Sequence, residues 1–168
     1  MILISHRGNI NGRIPERENT PEYIDEAIAA GYDVEIDMRA YRVICGPQHD
    51  RHLWLGHDNA DTKVDLKWLV DRRDNLWIHC KNLCALSYFT SSIKYLGFNV
   101  FHHSSDEPYV LTSKGFLWAY PGYEVDSNTI CLIPEHYPQD LEPFKGVCSD
   151  YIGDYHEAGT IRPRRSSD

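Results

Sequence analysis

The sequence is short of positive charge, of membrane-length apolar runs and of paired cysteines. Lys and Arg total 17 against 25 Asp and Glu, and the formal net charge is −8. Nucleic acid and anionic membranes require a basic surface, so both are excluded as general partners and only a local basic pocket is left open. No window approaches the ~18 apolar residues of a membrane helix, and no membrane insertion is expected. The opening Met1-Ile2-Leu3-Ile4-Ser5 has no basic leader followed by a long apolar run, so no signal peptide is expected. Cys45, Cys80, Cys84, Cys131 and Cys148 form no CxxC pair and are odd in number, which reads as reduced thiols in a cytoplasmic protein. Internal repeats and low-complexity tracts are absent.

What is present suits one domain. The chain has 168 residues, of which 42% are hydrophobic and 12% aromatic, enough for a real core. We expect a single domain over residues 1–157 and a frayed tail over 158–168, where apolar residues run out. Nine histidines give several groups able to titrate near neutral pH.

Residues 2–5 are apolar and β-prone and end in His6-Arg7-Gly8, then a polar loop runs to Asn19. Thr20-Pro21 starts a helix that Gly31 stops, with Thr20 as N-cap and Ile24, Ala27 and Ile28 on its apolar face. A second strand follows at once, which suggests a βαβ unit and a parallel sheet. Residues 41–44 and 52–55 can pair as a hairpin around Gly46-Pro47. A short helix is expected over 65–73, a third parallel strand over 76–81, and a helix capped by Asn82 reaching about Leu96. Strands are also expected at 98–102, 109–112, 116–120, 129–133 and 146–151. Seven or eight strands with two clear helices is an unusual balance for a barrel, whose regular form takes about 250 residues.

The second strand carries Val34-Glu35-Ile36-Asp37. Positions two apart in a strand share a face, so Glu35 and Asp37 point the same way. Side by side they repel, and a cation between them removes the repulsion; such oxygen ligands suit Mg²⁺, Ca²⁺ or Mn²⁺. An exposed edge strand with two ordinary acids is the plainer alternative. His6-Arg7, Glu18-Asn19 and His57-Asp58 also fall at strand ends or in adjoining loops, where sites gather in parallel sheets.

Taken together, His6-Arg7-Gly8, Glu18-Asn19-Thr20, Glu35-Ile36-Asp37 and His57-Asp58 resemble the ordered motifs of the glycerophosphodiester phosphodiesterase family, within the phospholipase C-like phosphodiesterase superfamily. Arg17 stands where that family usually has proline. The resemblance is strongest over residues 2–60 and weaker at 76–81, 116–118 and 146–151. It implies an α/β fold of the (β/α)8 type, here a compact barrel with several outer helices reduced to loops. It also implies hydrolysis of a small phosphodiester, a glycerophosphodiester or a relative, to an alcohol and a phosphomonoester. The third strand departs from the family, with His79-Cys80-Lys81 in place of Glu-x-Lys. Imidazole suits Mn²⁺ or Zn²⁺ better than Ca²⁺ or Mg²⁺.

The chemistry assigns expected roles. Glu35, Asp37, Glu18 and His79 are the candidate metal ligands, with Glu18 alternatively supporting the shell from outside. Arg7 and Lys81 supply positive charge to the phosphate, and His6 and His57 act as general acid and base. Trp118 and Tyr120 share a face that could line a pocket, although core packing is the commoner use of such residues. Two other readings stay open: a lyase-type relative that stops at a cyclic phosphate, and a phospho-ligand binding module of weak or no activity, which the His79 substitution favours. Missing outer helices would leave surface for a second copy, so a homodimer is allowed.

Overall fold

The computed structural model describes residues 1–42, 51–104, 106–123, 126–137 and 140–156. The tip of the hairpin expected around Gly46-Pro47, together with Cys45 and His49, lies outside the described residues, as does the tail from 157 onward. Ten strands form: β1 (Ile2–His6), β2 (Asp33–Arg42), β3 (Arg51–Leu55), β4 (Thr62–Val64), β5 (Leu76–Cys80), β6 (Asn99–Phe101), β7 (Tyr109–Leu111), β8 (Leu117–Ala119), β9 (Thr129–Leu132) and β10 (Gly146–Ser149). Three helices accompany them, α1 (Pro21–Ala29), α2 (Leu66–Arg72) and α3 (Leu83–Ser87), with one further turn at Gly153–His156.

All ten strands belong to one sheet. Seven run parallel in the order β6-β5-β2-β1-β10-β9-β8, and β3, β4 and β7 join by antiparallel pairing. The expected compact (β/α)8 barrel does not form; the architecture is an α/β fold on a single open, mixed sheet. Among the described residues no ladder joins β6 to β8. The hydrogen bonds of the β6 edge go instead to the loop after β7. Val100 N donates to Ser113 Oγ at 2.9 Å, and Ser113 N donates to Val100 O at 2.8 Å. Side chains also bridge the two ends, with the Phe101 and Trp118 rings 4.7 Å apart.

β2 is long because it has two successive partners on one edge. Its first half pairs with β1 (His6 opposite Glu35) and its second half with β3 (Met38 opposite Leu55), while β5 runs along the other edge. The arms of the expected hairpin are therefore β3 and the end of β2. Alternation puts Val34, Ile36, Met38, Ile78 and Cys80 on one face, packed beneath Ile24 of α1, Leu69 of α2 and Ala85 of α3. On the other face Ile4, Trp77, Phe101, Trp118, Ile130 and Cys148 form an apolar layer. Two positions further along stand His6, His79, His103, Tyr120 and Asp150, while β9 continues apolar with Leu132.

Two local expectations are corrected. Thr20 holds the N-cap position of α1 before Pro21 as expected, but its side chain makes no capping bond: its hydroxyl donates backwards to Arg17 O at 2.7 Å. The helix expected from Asn82 to Leu96 breaks after one α turn into a π turn over Tyr88–Ser92 and a 3-10 turn over Lys94–Leu96. Thr90 Oγ1 donates to Leu86 O and Ser91 Oγ to Ser87 O, and such back-bonding loosens a helix. Among the described residues no helix is long and apolar enough to cross a membrane.

Candidate active site

The polar layer lies at the C-terminal ends of the parallel strands, where β1 leaves the edge of β2 and β3 replaces it. His6 ends β1, Glu35 and Asp37 lie on β2, and His79 lies on β5 with Lys81 two residues later. Asp37 is opposite His79 in the ladder, so the two share a face. A cavity of about 280 Å³ opens there. Its charged half is lined by His6, Arg7, Glu35, His57, His79 and Lys81, six of the eight residues singled out above. The other half is lined by Trp118, Tyr120, Leu132 and Ile133, with His103 and Ser104 beside them.

Glu35, Asp37 and His79 each offer a ligand atom, all within 4.8 Å of one another. Both carboxylates are buried, Asp37 completely. His79 Nδ1 is 3.2 Å from Asp37 Oδ1 and 3.5 Å from Glu35 Oε1. Yet Asp37 Oδ1 and Glu35 Oε2 are buried without an aligned hydrogen bond. Native interiors seldom leave such atoms unmatched, and a cation would match them. The His79 Nε2–H donates to the carbonyl of His103 at 3.0 Å, because a carbonyl can only accept. That bond is the usual outer support of a metal-ligating histidine. The residues present therefore fit a divalent cation, with two carboxylate oxygens and one imidazole as the donor set.

Three cations neutralise Asp37. Arg7 Nε lies 2.8 Å from Oδ2, off the line of its N–H, and Lys81 Nζ lies 3.6 Å from Oδ1. Asn19 holds the residue in place: its amide donates to Oδ2 at 2.9 Å and its carbonyl accepts from Asp37 N at 2.9 Å. Burial would raise the Asp37 carboxyl, but His79, Arg7 and Lys81 together hold it far below the usual carboxylate range. Burial likewise pulls the His79 imidazole down, and Asp37 and then Glu35 outweigh it, raising it to about 9. In the absence of metal, a proton on Nδ1 therefore sits where a cation would.

The sequence reading passed over the partner of His6. Nδ1 of His6 is 2.7 Å from Asp150 Oδ1, just past β10, and Nε2 faces Glu35 Oε2 at 3.8 Å. Burial depresses this imidazole, but the bond to Asp150 and the charge of Glu35 raise it overall. Asp150 is itself held: Asn9 Nδ2 donates to its Oδ1 at 2.8 Å, and its backbone N donates to Glu135 Oε1 at 2.9 Å. Glu135 also accepts from Ser149 Oγ at 3.0 Å. One signal was available: Asp150 follows the last apolar strand as His6-Arg7 follows the first.

Glu18 lies outside the carboxylate group and does not line the cavity. Its oxygens accept from Arg7 Nη1 at 3.2 Å, Asn9 Nδ2 at 3.0 Å and Arg13 Nε at 3.0 Å. It reaches Asp37 only through Arg7. His57 stands at the rim, its side chain 42% exposed, with Nδ1 2.8 Å from Asp58 Oδ1. Arg39 fixes that loop by donating from Nη2 to His57 O at 2.6 Å and from Nε to Gly56 O at 3.3 Å. His102 is spent on Cys80 O at 2.8 Å and takes no part.

No family model, no curated protein and no solved structure matches the chain.

Proposed function

We propose that the protein is a metal-dependent phosphodiesterase that hydrolyses glycerophosphodiesters, or similar small phosphodiesters, to an alcohol and a phosphomonoester. One observation carries this reading: two histidines and two cationic side chains line one cavity at the strand ends together with Glu35 and His79, and the buried Asp37 lies directly behind these two, within 4.8 Å of their ligand atoms. A divalent cation held by those three residues would polarise the phosphate; their donor types suit Mn²⁺ or Zn²⁺ better than Mg²⁺ or Ca²⁺. The other residues have separate work. Arg7 Nη2 makes no hydrogen bond to a carboxylate among the described residues, and Lys81 adds a second positive charge near the same oxygens. Asp150 occupies Nδ1 of His6 and leaves Nε2 toward Glu35 on the cavity wall, and Asp58 occupies Nδ1 of His57. The neighbouring hydroxyl of the glycerol attacks phosphorus, the bond to the alcohol breaks, and water opens the cyclic phosphate. One imidazole takes the hydroxyl proton while the other gives a proton to the leaving alkoxide.

The resemblance to glycerophosphodiester phosphodiesterases in four motifs, in the same order, supports the same reading. A second reading has an observation of its own. Both His79 nitrogens face acceptors, so a protonated His79 satisfies the site without metal, as suits a phospho-ligand binding module. Hydrolysis of glycerophosphoglycerol by the wild type and by His6→Ala and His57→Ala separates the two. The enzyme reading expects each variant to lose ~10²–10⁴-fold in turnover. Full activity in both variants, with the fold intact, would discard the two-histidine mechanism.

A further inference from the structure

The two halves of the cavity differ in charge. Arg7, Lys81 and His79 stand on one side, and among the described lining residues Glu35 is the one carboxylate. His79 already approaches Glu35 at 3.5 Å, so no acid remains to pair with a cation on the substrate. The far wall carries no charge. Trp118, Tyr120, Leu132 and Ile133 form it, with His103 alongside. His103 donates Nε2–H to Glu107 O at 2.7 Å.

Among the described lining residues an aromatic cage for an ammonium group is also lacking. Such a cage needs open ring faces. Trp118 is buried between Phe101, at 4.7 Å, and Trp77, at 5.7 Å. Tyr120 has the His103 ring 5.1 Å away. Ile133 adds a second kind of observation. It holds φ at +50°, a conformation that a β-branched residue rarely adopts and that Asn, Asp or Gly would take with less strain. Residues in such conformations cluster at ligand sites. Here the strain is kept together with an apolar side chain on the cavity wall.

We propose that the alcohol on the far side of the phosphodiester is uncharged and has an apolar or aromatic body, and that the wall of Trp118, Tyr120, Leu132 and Ile133 selects it over choline and ethanolamine. This specificity rests on the phosphodiesterase reading for its turnover, but the wall can be tested without it. The full chain with Mn²⁺ is assayed on the benzyl, choline and ethanolamine diesters of glycerol phosphate. Benzyl alcohol is no better a leaving group than choline, so reactivity alone does not create a preference. The expected result is kcat/KM at least ten-fold higher for the benzyl diester; equal values, or a preference for either ammonium ester, overturn the proposal. Ile133→Asp puts a carboxylate on the wall in a residue type that tolerates the backbone. It is expected to move the ratio at least ten-fold toward choline, and Ile133→Asn, which removes the apolar side chain without adding charge, is expected to move it the same way by less. An unmoved ratio in Ile133→Asp, in a variant with wild-type circular dichroism, overturns the assignment of the wall. If no diester is hydrolysed, calorimetry with benzyl phosphate and phosphocholine decides. Tighter benzyl phosphate upholds the wall and removes only the hydrolytic reading. Equal or tighter phosphocholine, or no binding of either, overturns the wall as well.

Discussion

Replacing Asp37 by Asn keeps the size of the side chain and removes the charge on which the site is balanced. Asp37 is fully buried, with Arg7 Nε at 2.8 Å, His79 Nδ1 at 3.2 Å and Lys81 Nζ at 3.6 Å. In the variant Arg7 is left with Glu18, His79 with Glu35, and Lys81 with no carboxylate within 4 Å among the described residues. Removing one partner of a buried ion pair costs about 3–5 kcal/mol, because the charge left behind stays desolvated. Against a total stability of about 5–15 kcal/mol this is a large fraction. With a urea slope of ~1–3 kcal/mol/M, the unfolding midpoint in chelator at pH 7 should fall by at least ~1 M. The pH dependence follows from the two shifted groups. The Asp37 carboxyl is lowered in the folded protein, so its contribution is complete above its ordinary pKa of 3.8 and fades in acid, where variant and wild type converge. His79 is raised to about 9, so its contribution is complete below its ordinary 6.5 and is lost as pH climbs through 9. Wild-type stability should therefore decline between pH 7 and 9, and Asp37→Asn should decline less steeply. Urea titrations monitored by tryptophan fluorescence at pH 2, 7 and 9 read all of this. A variant within ~1 kcal/mol of wild type at pH 7, or with the same slope above it, refutes the charge balance described here.

Two further substitutions test the supports of the site. Asp150→Asn removes the charge that raises His6. The His6 titration followed by NMR should move to lower pH, and turnover should fall ~10–100-fold, as for other groups that orient a reacting side chain. Gly8 holds φ at +95°, and a Cβ there would lie 2.7 Å from Tyr23 Cδ1. Gly8→Ala should therefore destabilise by ~1–3 kcal/mol in thermal unfolding, by forcing the Arg7-Gly8 turn and α1 apart.

Period-two alternation was enough to foresee that Glu35 and Asp37 share a face, and that His79 and Lys81 do. Strand ends were legible too, because His6-Arg7-Gly8 follows an uninterrupted apolar run. The pairing of strands was not. Asp150 meets His6 because β10 lies beside β1, a neighbourhood made across 144 residues that no local pattern records. Sheet closure failed as an expectation for the same reason: counting strands does not say that Ser113 occupies the edge of β6. Glu18 drew attention as a carboxylate near the motifs. Its role as the partner of Arg7, Asn9 and Arg13 depends on how the loop from Asn9 to Asn19 folds back, with Asn19 N donating to Arg7 O at 3.1 Å.

The central claim is that the Glu35/Asp37/His79 group serves phosphodiester hydrolysis by holding a cation. Metal-stripped protein, given Mg²⁺, Ca²⁺, Mn²⁺ and Zn²⁺ one at a time, is to be assayed on glycerophosphoglycerol and on an activated aryl phosphodiester. The account predicts hydrolysis restored by Mn²⁺, abolished again by chelation, and weakened in its cation dependence by Glu35→Gln. Hydrolysis undiminished in chelator, or none with any cation from a protein shown to be folded, would contradict it.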